Sequence, residues 1–195
     1  MSVNLQQGEK VNLTKENNGL SSILIGLGWD AKKQNKGIFM LRKPHIDCDA
    51  SALLLQSGRL VSKKDLIYFG NLNHSTDAVI HMGDNLTGTG DGDDEQIIVE
   101  LNKLPECYDR IIIAVNVYEP VARKQHFGLI NNVFIRLVDM NNEKEIYRYE
   151  LTDDYTEKTA LIFGEFCKVD GEWIFTAIGQ GTEDTALNEL IKKYM

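Results

Sequence analysis

Apolar positions along this chain recur in short runs, many of them alternating with polar ones, and long helical stripes are scarce. Ser22 to Trp29 (SILIGLGW) is apolar and ends in Gly-Trp-Asp. Ile46 to Leu55 (IDCDASALLL) alternates and then turns fully apolar. Shorter runs follow at Leu66 to Phe69, Ala78 to Met82 and Gln96 to Leu101. Arg110 to Tyr118 (RIIIAVNVY) is rich in β-branched residues and predicts a central strand. Val133 to Met140 and Glu145 to Leu151 flank Asn141-Asn142, a turn signal. Thr159 to Val169 and Glu172 to Gln180 flank Asp170-Gly171, a hairpin signal because both turn residues must tolerate positive φ. Many strands at short spacing, with no long helix between them, predict a mainly β fold. The expected architecture is a β-sandwich of two antiparallel or mixed sheets with a few short helices.

Two helices are expected. Glu119 to His126 allows one or two turns, with Pro120 at the first helical position. Asp184 to Tyr194 is amphipathic: Leu187, Leu190, Ile191 and Tyr194 fall at i, i+3, i+4 and i+7. Thr182 is placed to cap its start, and Lys192 and Lys193 suit its C-terminal dipole. This helix is expected to dock on the sandwich. At 195 residues, with no linker and no low-complexity tract, the chain is expected to form a single domain over residues 1–195.

Composition narrows the function classes. Apolar content is 43% and net charge −8. A negative balance argues against a nucleic-acid partner, because phosphate recognition rests on clustered Lys and Arg. It suits cations or a basic partner. Cys48, Cys107 and Cys167 have no metal-like spacing and do not form a disulfide framework. Met1 to Gln7 lacks the basic start and apolar run of a signal peptide. No apolar run approaches the ~20 residues that span a bilayer. The chain reads as cytoplasmic, peripheral at most to the inner face of the membrane.

The chemistry concentrates in Gly83 to Glu95 (GDNLTGTGDGDDE). Asp84, Asp91, Asp93, Asp94 and Glu95 crowd there, with Asn85 and Thr87 as neutral oxygen donors and Gly88, Gly90 and Gly92 between them. So many carboxylates repel one another unless a positive charge sits among them. All-oxygen donors on a flexible loop suit calcium better than magnesium. A solvated acidic turn is the competing reading, near parity on this loop alone. The EF-hand spacing from Asp84 places Glu95 correctly, but Leu86, Gly88 and Thr89 fill positions where that loop needs other residues. A phosphate loop is excluded by Asp91 and Asp93 and by the missing Lys-Ser/Thr pair.

Other acids are candidates to join the loop. Asp30 ends SILIGLGW. Asp47 and Asp49 sit two apart, so on a strand they share a side while Cys48 points inward. Alone, that pair reads as the exposed face of an edge strand. The histidines His45, His74, His81 and His126 are scattered, and each reads as structural or exposed. No G-x-S-x-G elbow or cysteine nucleophile signature is present.

Several segments carry a resemblance. GLGWD (Gly26 to Asp30), DCDASA (Asp47 to Ala52), GDNLTGTGDGDDE, FGLINNVFIRL (Phe127 to Leu137) and GEF…DGEWIFTAIGQG (Gly164 to Gly181) resemble the TerD family of tellurite-resistance and general-stress proteins. The resemblance covers nearly the whole chain. It implies a calcium-binding β-sandwich with two calcium ions near the acidic loop. The residues it implies as ligands are Asp30, Asp47, Asp49, Asp84, Asn85, Asp93, Asp94 and Glu95, with backbone oxygens near Thr87 and Gly88. Asp91 stands where the family varies, and Cys48 replaces the usual aliphatic residue.

Three functions follow as expectations. The first is a non-enzymatic, calcium-dependent stress-response module associated with tellurite resistance. Its partners would be proteins, such as related stress proteins or a membrane-associated complex. The second is a calcium-dependent sandwich that binds carbohydrate or lipid. The third, given least weight, is a metal-dependent phosphoryl-transfer enzyme using Asp47 and Asp49.

Overall fold

A computed structural model describes residues 2–31, 46–83 and 92–195. The strands in chain order are β1 (Val3–Leu5), β2 (Lys10–Asn12), β3 (Ser22–Ala31), β4 (Cys48–Leu55), β5 (Leu66–Ile67) and β6 (Val79–His81). They continue with β7 (Glu95–Glu100), β8 (Arg110–Val117), β9 (Ile130–Asp139), β10 (Lys144–Glu150), β11 (Ala160–Val169) and β12 (Glu172–Thr182). Three short helices are α1 (Leu13–Glu16), α2 (Pro120–Arg123) and α3 (Leu187–Leu190). The strands form two six-stranded sheets, ordered β1-β10-β9-β3-β7-β6 and β2-β12-β11-β8-β4-β5. The first is mixed, because β1 pairs parallel to β10. The second is antiparallel throughout.

The expected sandwich is therefore observed, and ten expected strands match β3 to β12 within a few residues. The N-terminal strands β1 and β2 were not expected, because three-residue runs carry too few alternations to register. α1 escaped for the same reason; Asn12 caps it by accepting the Lys15 N–H at 3.1 Å.

The core between the sheets is built from alternate residues of the central strands. Ile23, Ile25, Leu27 and Trp29 of β3 face Ala50, Ala52 and Leu54 of β4 and Ile111, Ile113 and Val115 of β8 in one buried cluster. The opposite face of the second sheet is also covered. Leu53, Leu55, Ile112, Ala114 and Ile162 pack with Leu190 and Ile191 of the C-terminal segment. Burial on both faces is why β4 and β8 read as continuous apolar runs.

The C-terminal helix departs from expectation at its start. It begins at Leu187 with Ala186 as an N-cap that makes no side-chain bond, then tightens into a 3₁₀ turn over Ile191–Tyr194. Thr182 instead ends β12 and hydrogen-bonds Asp184. The pairing of β12 with β11 runs through Ala160↔Thr182, so strand propagation wins over capping. The expected apolar stripe does dock as anticipated. At the other predicted turn, Asp170 and Gly171 have φ 51° and 84°, the positive values an Asp-Gly hairpin requires.

Candidate metal centre

Three strand ends carry the candidate acids to the same end of the sandwich. Asp30 lies at the C-terminal end of β3, opposite Asn131 of β9. Glu95 starts β7, opposite Leu27 of β3. Cys48 and Asp49 start β4, opposite Val117 and Asn116 of β8. The two sheets are joined here by His81, which is buried. Its Nε2 lies 3.1 Å from Glu95 Oε2 and 3.2 Å from the Ala50 carbonyl, while its Nδ1 accepts the Gly83 N–H at 3.1 Å. An accepting Nδ1 places the proton on Nε2, so the ring donates toward Glu95 and β4.

Asp94 lies at the centre of the group. It is buried, and its Oδ2 accepts the Trp29 N–H at 2.8 Å. Burial raises its pKa, the Trp29 hydrogen bond opposes that, and the charges of Asp30, Glu95 and Asp93 raise it further. Burial likewise pushes the Cys48 thiol up, reinforced by Asp49, Asp47, Asp94 and Glu95. Acids of both sheets thus act on the Cys48 thiol, while Asp94 feels the acids of its own sheet and the adjoining segment. Cys48 points into the core as expected.

The acids differ in how they are compensated. Asp93 is fully engaged: Arg136 donates from Nε to Oδ1 at 2.7 Å and from Nη2 to Oδ2 at 2.9 Å, and the Gln96 amide adds 2.9 Å. Asp30 accepts from the Asn132 amide at 2.7 Å. Asp47 Oδ2 accepts from Arg123 at 3.0 Å, but its Oδ1 is buried with no hydrogen-bond partner. Asp49 is only 6% exposed, with Asn116 Nδ2 at 3.4 Å, so it is no exposed edge residue.

Among the described residues, no three His, Cys, Asp or Glu side chains converge closely enough to hold a metal ion. Asp84, Asn85, Thr87, Gly88 and Asp91 lie outside the described residues. The donor set that is described fits a hard cation in kind: all oxygens, one of them buried and unpartnered, one carboxyl disfavoured as an anion.

Sequence reasoning missed Arg136, Arg123, Asn132 and His81 as parts of this group. His81 had one signal, its place two residues before the acidic loop. Arg136 and Asn132 are brought in by the pairing of β9 with β3, and Arg123 by α2, none of which the sequence spells out.

The TerD domain pattern matches residues 1–194. This chain belongs to the TerD family. The stress response protein SCP2 of Bacillus subtilis is 46% identical over 199 aligned positions, covering 100% of both chains. The tellurium resistance protein TerD of Serratia marcescens is 43% identical, over 93% of this chain and 91% of its own length. A solved TerD homologue from Streptomyces coelicolor shares the fold with a TM-score of 0.67 at 20% identity, covering 91% of this chain and 99% of that one. The relatives of this family carry names in tellurium resistance and general stress response. Among its described residues, no helix is long and apolar enough to cross a membrane.

Proposed function

We propose that this chain is a calcium-binding, non-enzymatic stress-response protein associated with tellurite resistance, whose bound ions tie strand ends from both sheets together. The observation that supports it most is Asp94, buried, with its carboxylate form disfavoured by burial and by the charges of Asp30, Glu95 and Asp93. Such a group is costly as it stands and favourable around a cation.

Asp30, Asp47, Asp49, Asp94 and Glu95 would hold calcium together with Asp84, Asn85, Thr87 and Gly88 of the acidic loop; the family resemblance implies two ions. Asp93 would join only by sharing its oxygens with Arg136. Calcium, when bound, supplies the positive charge that the acidic end lacks. The chain's own residues orient the donors: the Trp29 N–H fixes Asp94, Asn132 fixes Asp30, and His81 fixes Glu95. The resulting surface would serve as a calcium-dependent interaction module for protein partners of the same stress system, on the cytoplasmic side of the membrane.

Isothermal calorimetry with calcium on chelator-stripped protein tests this. Saturable binding that weakens on Asp94→Asn is expected. Absence of calcium heat, with an unchanged melting curve, overturns it.

A further inference from the structure

A cavity of about 330 Å³ opens on the face of β4 that carries Asp49. Its lining residues include Tyr68, Phe69 and Tyr118, Leu187 of α3, and two acids, Asp49 and Glu119. No Lys, Arg or His is among its described lining residues. Asp49 is buried and Glu119 stands at the rim, its side chain 56% exposed. Phe69 is 45% exposed although it packs edge-to-face on Tyr68.

We infer that this cavity binds a small organic cation, an ammonium group on an aliphatic body. Aromatic faces carry negative quadrupole charge and attract cations, most strongly where water is excluded. Two carboxylates repel anions and complement one positive charge. The rings and Leu187 leave apolar wall for an alkyl body, and the volume falls in the ~300–1,000 Å³ range of small-ligand pockets. A bare inorganic ion has no alkyl body to place against that apolar wall.

The protein's own groups show the same preference at the rim. The Arg123 guanidinium, which does not line the cavity, lies 4.7 Å from the Tyr118 ring centroid and 3.7 Å from Glu119. Glu119 also holds φ 47° and ψ 49°, a left-handed conformation that a non-glycine residue adopts at a cost. Glu119 is the N-cap residue of α2 and makes no side-chain capping bond, which leaves its carboxylate to Arg123.

The test is a titration of the full chain followed by amide chemical shifts, with pentylammonium, 1-pentanol and pentanoate as matched probes. A chelating buffer makes the outcome independent of any ion beside Asp49. Pentylammonium is expected to bind about tenfold more tightly than pentanol, shifting Phe69, Tyr118 and Leu187, with no binding of pentanoate. Glu119→Gln, on the exposed rim, is expected to weaken pentylammonium several-fold and leave pentanol unchanged; Tyr118→Leu is expected to weaken it as well. The inference is overturned if pentanol binds as tightly as pentylammonium. It is equally overturned if the shifts map to the Asp30–Asn132 region, if Glu119→Gln has no effect, or if no probe saturates up to about 10 mM.

Discussion

Arg136 of β9 grips Asp93, just before β7, with two parallel hydrogen bonds of 2.7 and 2.9 Å, reaching across the intervening strand β3. The Asp93 side chain has no exposed surface. Both glycines of GLGW that face this side are small for a reason. A Cβ at Gly26 would lie 2.2 Å from the Asp93 carboxylate, and one at Gly28 would lie 2.5 Å from the Phe134 ring.

Asp93→Asn removes one charge of this pair and leaves Arg136 facing a neutral amide. Loss of about 1–3 kcal/mol is expected, tempered by the partial exposure of Arg136. Urea unfolding in chelating buffer measures it. An unchanged midpoint would show that the pair contributes nothing.

Asp94→Asn should do the opposite without calcium. Its carboxylate form is disfavoured by burial and by three neighbouring acids, and an amide oxygen can still accept the Trp29 N–H. A melting temperature at or above wild type in chelator, together with weaker calcium binding, is the expected signature. Function and stability pull apart where charges are crowded for a ligand.

Calcium itself should raise the melting temperature. At a hundredfold excess over the dissociation constant, mass action contributes ~2.7 kcal/mol. For a domain of this size that is about 5–10 °C. Thermal scans with calcium, and again after chelator, read it directly; magnesium should give a smaller shift.

Gly28→Ala should destabilise the fold by about 1–3 kcal/mol, because the Phe134 ring and the Gly92 carbonyl, 3.0 Å from the added carbon, must both give way. Chemical denaturation of this variant against Gly8→Ala, where a Cβ meets open space but φ is +82°, separates crowding from backbone strain.

A buried network away from the acids sets the alkaline limit. Tyr108 donates to Asp65 Oδ1 at 2.9 Å, and His74 Nε2 lies 3.3 Å from the Tyr108 hydroxyl and 3.4 Å from the same carboxylate oxygen. Burial, then the Asp65 hydrogen bond, pushes the phenol up to about 12. The neutral phenol is favoured in the folded state. Its contribution is therefore fully present below the ordinary value of 10.0 and is lost as pH rises toward 12. Tyr108→Phe should lower stability at neutral pH and flatten its decline between those values, followed by denaturation midpoints across alkaline pH.

The sequence by itself determined the class of fold, because alternation of period two and an Asp-Gly turn act over a few residues and need no distant partner. It determined the positions of β3 to β12 within a few residues, and the alternation in β4 well enough to turn Cys48 inward. It also marked the acidic loop, since repeated carboxylates and glycines are a local signal. Tertiary structure decided what surrounds those acids. Arg136 reaches Asp93 from β9, Asn132 reaches Asp30 across 102 positions, and His81 joins Glu95 to the carbonyl of Ala50 in the other sheet. These contacts arise from strand order, β9-β3-β7 in one sheet and β8-β4 in the other, which follows from how twelve strands share two faces. Whether an acid is paired or left uncompensated depends on neighbours far away in sequence, and only the folded chain brings them within hydrogen-bonding distance.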